Sequence, residues 1–571
     1  MSAIEPLEVE RIDHLGVVMG TINRLGLIEL IDNRLGRDSQ EEISSGEAIA
    51  GMILNGLGFS HGPLYLMCQF FANKPLEHLF RPGVQASHFN RFKLGRVLDA
   101  VSTYGCSLLF SELALSICHQ EGICTRYNHL DTTSFSVHGQ YETPDRDASD
   151  GETPVSIEVK RGYSKDHRPD LKQVVLEMMV SQDGGVPLMV KAWDGNASDN
   201  TIFKERSQAL LKQLAESEPP RFLIADSKLY SSENAPNLTQ LSFITRIPNT
   251  IGEVARQVDQ AWADEATWLS HGIGRFYQAY TVLTLLTGGI HQQSHGIGRF
   301  YQAYTVTHYD IKQRWLVVYT DTSWKRAVKQ VDKAVLKEKQ QLDKALSNLQ
   351  KQSFQEPQQA VAEVEKLFKT SRFHRLDGCQ LTAQPHFAQA GRPPKEAKPT
   401  TFKWQIKVTF HADPAWRQQA YQRRACYVIG SNSNLADTEI IDHYAQQEKA
   451  ERGFRFLKDP LFFASAFFLK SVDRLHALVM VMTLALLVYS VAQRQIRRTL
   501  ADTEDTLPNQ IGIPTDTPTL RWVFQILHGI DYVRYRIGDH MQTVITGLSD
   551  LKTRVLRLFG PEVCRLYLLS P

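Results

Sequence analysis

Apolar residues recur at three- and four-residue steps through the first part of the chain. The runs are "GVVMGTINRLGLIELIDNRL", "SSGEAIAGMILNGLGF" and "RVLDAVSTYGCSLLFSELALSICHQ", and Gly and Pro punctuate them. An α-helix repeats about every 3.6 residues, so this spacing predicts helices between residue 10 and about residue 123. We therefore expect a helical domain over residues 1–123.

From residue 124 the pattern changes to short apolar runs typical of β-strands. "YNHLDTTSFSV" predicts a strand, and "LKQVVLEMMVSQDGGVPLMVKAW" predicts a hairpin turning at "DGG". "NTIFKERSQALLKQLAES" predicts an amphipathic helix, "RFLIADSKLY" a buried strand that ends on Asp226, and "LSFITRIP" a further strand. This order is typical of a mixed α/β layer, which we place at residues 124–248 and expect to carry a site at its strand ends.

Residues 249–435 interrupt this pattern. "KRAVKQVDKAVLKEKQQLDKALSNLQKQ" and "EPQQAVAEVEKLFKT" predict a charged helical hairpin broken at Pro357, with β-like runs "RWLVVYTD" and "TFKWQIKVTF" on either side. "GRPPKEAKP" has the composition of a linker. The pattern recovers near residue 436, so we expect residues 249–435 to be an inserted α+β region.

A perfect internal repeat lies within this region. "SHGIGRFYQAYTV" occurs at residues 270–282 and again at 294–306. Two copies are too few for a solenoid. A duplication that lengthens a surface loop is the favoured interpretation, and a paired nucleic-acid contact through Arg275 and Arg299 is the alternative.

The longest apolar run is "LHALVMVMTLALLVYSVA" at residues 475–492, within the segment 436–500 that we expect to complete the α/β layer. The run falls just short of the roughly 20 apolar residues that a membrane span needs, and no second such run accompanies it. A helix that is apolar all round can also be the central helix of a large core. We favour the core helix, expect no membrane partner, and predict a helical tail over residues 501–571.

Composition narrows the class of protein without choosing a function. With 571 residues, 42% hydrophobic and 22% charged, the chain has the composition of a folded protein and is too long for one core. A net charge of +2 neither demands nor excludes nucleic acid, so such binding must come from local patches. The seven cysteines form no CxxC pair and the N-terminus lacks a secretory apolar run, which predicts reduced thiols and a cytosolic protein.

A group of residues of metal-ligating type near residue 120 suggests a zinc site. The group consists of Cys118, His119, Cys124 and His129. Their spacing matches no standard zinc finger, so buried thiols beside a helix end are the favoured interpretation.

Two aspartates and one later segment carry the candidate chemistry. Asp131 lies inside a predicted strand, where a carboxylate is costly to bury and adds nothing to the sheet, and Asp226 ends another strand. Taken as one helix, "YAQQEKAERGFRFLKDP" places six residues within roughly 100° of one another: Tyr444, Gln447, Glu451, Phe454, Arg455 and Lys458. One acid among Tyr, Gln, Arg and Lys suits a metal-binding carboxylate beside phosphate contacts. Taken singly, Glu451 with Arg455 is also an ordinary surface pair.

Five segments in order along the chain carry a resemblance to a known family: "LDTTSFSVHG", "GYSKDHRPDLKQ", "DGNASDNTIF", "IADSKLYSSEN" and "YAQQEKAERGFRFLKDP". Together they resemble the DDE transposases of bacterial insertion sequences, most of all the group whose RNase H-like core is interrupted by a long insertion before the last acidic residue. The stretch "RIDHLGVVMGTINRLGLIELID" resembles the helical domain that precedes the core in that group. The resemblance implies an α/β fold: an RNase H-like mixed-sheet core, an inserted α+β region and a helical N-terminal domain.

The resemblance also implies site residues and a cofactor. It assigns catalysis and metal binding to three acids: Asp131, Asp226 and Glu451. Two Mg²⁺ ions, for which Mn²⁺ can substitute, fit such a set because hard cations take carboxylate oxygens. DNA contacts are implied for Tyr444, Gln447, Arg455 and Lys458. Gln447 stands where the family usually has Arg, and Gln can still donate a hydrogen bond. Candidates for stacking on a flipped base are Trp193, Trp262, Trp268, Trp315, Trp324 and Trp404.

The implied activity is DNA cleavage and strand transfer at the ends of an insertion sequence, by in-line displacement at phosphodiesters. The implied partners are double-stranded DNA, as terminal inverted repeats and as target, and further copies of the chain in a dimer or higher assembly. The implied location is the bacterial cytosol, at the nucleoid when bound to DNA.

Three alternatives to a transposase remain. One is a metal-dependent nuclease that cuts without joining. The second is a catalytically inactive DNA-binding descendant, against which the presence of all three acids speaks. The third is a glycosidase that uses Asp131 and Asp226 as a carboxylate pair, which the helix bearing Lys, Arg and Tyr makes a poor fit.

Overall fold

The computed structural model describes residues 5–59, 63–137, 141, 157–163, 168–214, 221–264, 268–272, 298–387, 398–459, 471–537 and 540–570. The chain divides into two compact units. The first unit comprises Met1–Thr245 together with Ile441–Pro571, and the second comprises Arg246–Ile440.

The elements follow one another as strands and helices with these bounds. The strands are β1 (Glu5–Arg11), β2 (Tyr127–Val137), β3 (Lys172–Ser181), β4 (Pro187–Trp193), β5 (Phe222–Ala225), β6 (Ser242–Ile247), β7 (Leu269–Gly272), β8 (Gly298–His308), β9 (Ile311–Thr320), β10 (His374–His386), β11 (Thr401–Ala412), β12 (Tyr427–Ser431), β13 (Leu507–Pro508), β14 (Pro514–Thr515), β15 (Asp531–Ile537) and β16 (His540–Thr546). The helices are α1 (Leu15–Arg24), α2 (Leu27–Leu35), α3 (Ser45–Leu57), α4 (Met67–Phe71), α5 (Leu76–Leu79), α6 (Arg91–Tyr104), α7 (Cys106–Gln120), α8 (Asp199–Leu214), α9 (Ala235–Leu238), α10 (Gly252–Ala263), α11 (Asp321–Gln350), α12 (Pro357–Lys369), α13 (Pro414–Ala425), α14 (Asp437–Ala445), α15 (Glu448–Leu457), α16 (Val472–Asp502), α17 (Leu520–Ile526), α18 (Asp550–Arg557) and α19 (Pro561–Leu566).

Helix α16 is the central helix of the first unit. Its 31 residues are apolar on every side through the middle, and the helix packs against α1, α3, α6 and α7. Among the described residues it is long and apolar enough to cross a membrane, and the bent pair α6 and α7 passes the same test together. In α16, 89% of the apolar window is buried within the protein, as a core helix requires.

The mixed sheet of the first unit has the strand order β4-β3-β2-β5-β6. Strand β3 is antiparallel to both β2 and β4, whereas β5 runs parallel to β2 and β6 runs parallel to β5. The predicted strand, hairpin, helix and two further strands therefore all form. This is the RNase H-like arrangement that the resemblance implies, so the α/β fold class is confirmed.

The second unit contains the strand order β12-β9-β8-β7 and a separate ribbon of β10 with β11. The predicted helical pair forms as α11 and α12, and α12 begins at Pro357, where a missing N–H costs nothing. The second repeat copy lies mostly in β8, while residues 273–282 of the first copy, with Arg275, lie outside the described residues, as does most of "GRPPKEAKP".

Two local predictions were wrong. The segment from Tyr444 to Lys458 is not one helix, because α14 ends at Ala445 and α15 begins at Glu448. At the break the amide of Gln447 donates to the Tyr444 carbonyl oxygen, and this tight turn directs the Gln447 side chain toward β2. The tail is also not helical throughout, because β15 and β16 form a three-stranded antiparallel sheet with the N-terminal strand β1.

Candidate active site

The register of β2 and β5 brings two acids together. The strands are parallel, and Leu130 lies opposite Ala225. In both segments the next residue is an aspartate, so Asp131 and Asp226 are neighbours on one face of the sheet, where β5 ends. Both side chains are half-buried.

Hydrogen bonds from the main chain orient both carboxylates. The Thr132 amide donates to Asp131 Oδ1 at 2.7 Å, and the Lys228 amide donates to Asp226 Oδ1 at 2.9 Å. The Thr245 hydroxyl on β6 donates to the Asp226 carbonyl oxygen at 2.8 Å. Backbone amides therefore orient the two carboxylates, and the Thr245 hydroxyl holds the main chain at Asp226.

Helix α15 lies along the same face of β2 and is held there near both ends. Successive strand residues point to opposite faces, so His129, Asp131 and Phe135 share one face. Near the start of α15, Gln447 bonds to His129, and at its end Lys458 Nζ lies 5.5 Å from the centre of the Phe135 ring. The helix thus runs in the direction of β2.

These two anchors place Glu451 level with Asp131. Glu451 comes one helical turn after Gln447, about 6 Å along the axis. Asp131 comes two residues after His129, about 6.6 Å along the strand. The third acid predicted from the sequence therefore lies at the same height as the aspartate pair, and its side chain is exposed.

The Gln447 side chain is directed into the protein. It is only 8% exposed, and its amide donates from Nε2 to the Leu130 carbonyl oxygen at 2.9 Å while Oε1 lies 3.0 Å from His129 Nδ1. Burial lowers the pKa of His129 to about 4, against the opposing effect of the Gln447 hydrogen bond. The ring is accordingly neutral at pH 7.

The other side chains predicted to contact DNA are more exposed than Gln447. Arg455 is exposed on α15, Tyr444 is half-buried on α14, and Lys458 caps the end of α15. Positive charge from Arg455 and Lys458 suits phosphate oxygens. These two positively charged side chains thus lie on the helix that bears Glu451 and at its C-terminal end.

The donor chemistry of the aspartate pair fits a hard divalent cation, because Mg²⁺ and Mn²⁺ prefer carboxylate oxygens. Across the described ranges, no three side chains of His, Cys, Asp or Glu are grouped to hold a metal ion. The two aspartates are adjacent, and Glu451 completes the set only if its exposed side chain turns toward them. Of the zinc candidates, Cys118 is buried with its pKa raised to about 12 by burial, and His129 is bonded to Gln447.

The predicted stacking candidates separate into different environments. Trp315 is fully buried, Trp193 donates to Glu177 Oε2, and Trp262 packs within an aromatic cluster with Trp268 and Trp324. Nothing in these contacts selects one of them for a flipped base.

Three further residues shape the site in roles that were not predicted from the sequence. His129 is buried. The Thr132 hydroxyl donates to Asp199 Oδ1 at 2.7 Å and so links β2 to the start of α8. Gly453 allows close packing, because a Cβ there would lie 2.8 Å from Met178 Cε and 3.3 Å from Leu486 Cδ2. Gly in a helix interior, where it is unfavourable, was the signal available for the last of these.

Comparison with known proteins finds two matching family models and a similar solved structure. Residues 129–488 match the family described as "Transposase DDE domain", and residues 7–115 match a "Domain of unknown function (DUF4277)". No curated protein matches the chain. Among solved structures, one similar chain is that of "Cryo-EM structure of piggyBac transposase synaptic complex with hairpin DNA (SNHP)", with 7% identity, a TM-score of 0.33, and coverage of 92% of this chain and 82% of that one. Because the first match spans more than half of its residues, the chain belongs to the family of transposases with a DDE domain.

Proposed function

We propose that this protein cleaves DNA at the ends of an insertion sequence and joins those ends to a target. The observation that carries the proposal is the adjacency of Asp131 and Asp226 at the end of β5, with the Glu451 helix held along β2 at the same height. Two adjacent carboxylates at the end of a strand, with a third acid on the helix alongside, suit metal-dependent chemistry at phosphorus better than a structural role.

The three acids have the role of metal ligands in this proposal. Asp131, Asp226 and Glu451 would hold two Mg²⁺ ions, with Mn²⁺ as a substitute. When bound, such ions activate the attacking oxygen and stabilise the leaving oxygen of an in-line displacement. The hydrogen bonds from the Thr132 and Lys228 amides keep the two aspartates oriented before any cation arrives.

Residues around the acids would hold the DNA. Arg455 and Lys458 supply positive charge to backbone phosphates, and Tyr444 supplies a hydroxyl on the adjoining helix. The partners in this proposal are double-stranded DNA, as terminal repeats and as target, and further copies of the chain in a dimer or higher assembly. The proposed location is the cytosol of a bacterium.

Incubation with DNA tests the proposal. The full chain is incubated with Mg²⁺ and a plasmid that carries the DNA flanking its own gene, beside a Glu451→Gln control. We expect breaks confined to the element ends and joined products, both absent in the control. Breaks without joined products would favour a nuclease, and specific retention of the DNA without any breaks in Mg²⁺ or Mn²⁺ would favour an inactive DNA-binding protein.

A further inference from the structure

We propose that Gln447 and His129 form a positioning pair that holds the helix bearing Glu451 in line with the two aspartates. The inference rests on the proposed function and deepens it. It assigns Gln447 an internal role, whereas the resemblance implies a phosphate contact at this position.

Both functional groups of the Gln447 amide are used within the protein. Nε2 donates to the Leu130 carbonyl oxygen, one residue before Asp131, and Oε1 lies against His129, two residues before Asp131. The two partners are consecutive residues of β2, so one side chain fixes both the distance and the register of the helix start relative to the strand. With 8% exposure for Gln447 and none for His129, water competes little with these bonds.

The chemistry of the pair is self-consistent. Since Nε2 of Gln447 donates to a carbonyl oxygen, Oε1 is the atom that faces His129, and His129 Nδ1 must therefore carry the proton and donate it. A neutral imidazole ring carries one such proton, and the contact with Oε1 places it on Nδ1. An arginine at position 447 has no acceptor for the His129 proton and would place a charge among buried groups.

A second contact, on the other side of Glu451, sets how closely the helix approaches the sheet. Gly453 faces Met178 on β3, and Met178 lies directly opposite Asp131 in the sheet. The absence of a side chain at Gly453 lets α15 approach the sheet at this point. Glu451 is thus bracketed by Gln447 one turn before it and by Gly453 shortly after it, and both contacts refer to the strand positions around Asp131.

Other contacts keep the region folded when the pair is broken. Lys449 Nζ donates to the Gln182 carbonyl oxygen at 2.7 Å, and His443 lies 2.9 Å from the Gln182 side-chain oxygen. Because these bonds anchor the junction of α14 and α15 to the end of β3, a change at Gln447 should shift the helix without releasing it.

The test uses Gln447→Met, which keeps the length of the side chain and removes its hydrogen bonds. Glu448→Gln is the matched control, because Glu448 is exposed on the same helix and, within the described residues, forms its ion pair with Arg452. Three quantities are measured on the full chain: the cleavage rate at saturating plasmid in Mg²⁺, retention of the same plasmid DNA, and hydrogen exchange of the amides of residues 448–457.

For Gln447→Met we expect the cleavage rate to fall by roughly 10²-fold, since a displacement of about 1 Å at a reacting group has an effect of that size. DNA retention and its salt dependence should be unchanged, exchange in residues 448–457 should be faster, and Glu448→Gln should behave as the unaltered chain. The double variant His129→Phe with Gln447→Met should be no slower than Gln447→Met alone, because the two residues act as one unit.

Two results would overturn the inference. Weaker DNA retention with a smaller salt dependence in Gln447→Met would make Gln447 a phosphate contact. A cleavage rate in Gln447→Arg equal to that of the unaltered chain would show that the internal bonds are dispensable. If the unaltered chain cleaves no DNA, the proposed function has failed, yet the exchange measurement still decides on the pair: unchanged exchange in residues 448–457 refutes it.

Discussion

The acids of the candidate site are held in two different ways. Asp131 and Asp226 lie on adjacent parallel strands, and their separation follows from the hydrogen-bond register of the main chain. Glu451 lies on a helix that reaches β2 through side-chain contacts of Gln447 and Lys458. A sheet register resists single substitutions, whereas a helix held by a few side chains does not. The aspartate pair is thus the rigid half of the site, and Glu451 is the adjustable half.

The largest effect is expected when an acid is removed from either half of the site. Asp131→Asn, Asp226→Asn and Glu451→Gln should each abolish cleavage, because each substitution replaces a charged metal ligand by a neutral amide. Folding and DNA retention should remain, as judged by thermal unfolding and plasmid binding. Glu448→Gln is the control on the same helix and should cleave normally. Full activity in any of the three variants removes that residue from the proposed metal site.

The next effect concerns the support of the sheet. Glu177 on β3 is fully buried and pairs with Arg206 of α8 at 2.6 Å. Arg206→Ala would leave a buried carboxylate without its cation, with Trp193 as a neutral hydrogen-bond donor, and should lower the free energy of unfolding by about 3–5 kcal/mol. Denaturant unfolding measures this change. Arg168→Ala breaks an exposed pair with Asp170 and should leave stability unaltered. Equal effects of the two substitutions would show that the buried pair of Glu177 with Arg206 does not stabilise the sheet.

A smaller effect on stability, with a selective effect on cleavage, is expected from the helix. Gly453→Ala introduces a Cβ that meets Met178 and Leu486, so α15 must move away from β3. Overpacking of this kind costs about 1–3 kcal/mol, and the cleavage rate should fall by roughly 10²-fold because Glu451 moves with the helix. Gly252→Ala is the comparison, since no atom lies within 4 Å of a Cβ there. Unchanged cleavage in Gly453→Ala would show that the distance of α15 from the sheet does not affect cleavage.

The smallest effect of any single side chain is expected in mild acid, where stability is lost. Burial lowers the pKa of His14, His129 and His476 to about 4 in the folded protein. Because the unfolded value is near 6.5, the unfolded state binds more protons between these values, and the free energy of unfolding falls as pH decreases from about 6.5 to 4. Each histidine contributes a loss of about 2 kcal/mol at pH 5. For His129, the charge of Lys449 acts in the same direction as burial.

Urea unfolding at pH 7 and pH 5 measures this loss. His129→Phe should lose less stability between the two pH values than the unaltered chain, because one of the three titrating rings is gone. An equal loss in both proteins would show that His129 does not titrate in this range.

Much of the fold could be predicted because its signals are local. The apolar runs of β2 to β6 and the Gly-rich turn before β4 indicate their structure without knowledge of the rest of the chain. Asp131 and Asp226 could be singled out because an acid is unusual in or directly after such a run. Their adjacency requires only that β2 and β5 pair in parallel.

The parts that could not be predicted depend on contacts between distant segments. The break before Glu448 accompanies hydrogen bonds from Gln447 to β2, and no periodicity within residues 444–458 records those bonds. Strand β1, rich in Glu, forms because it pairs with β15 near the other end of the chain. Strands β15 and β16 do carry a readable signal, since "YVRYRIGDHMQTVI" contains two β-rich runs joined at "GD".

Manganese binding measured by electron paramagnetic resonance tests most directly whether the rigid and adjustable halves form one site. The unaltered chain is titrated with Mn²⁺ beside Asp131→Asn, Asp226→Asn and Glu451→Gln. We expect each of the three substitutions to weaken Mn²⁺ binding and Glu448→Gln to leave it unchanged. Binding by Glu451→Gln equal to that of the unaltered chain, together with weakened binding in the two aspartate variants, would show that Glu451 lies outside the site.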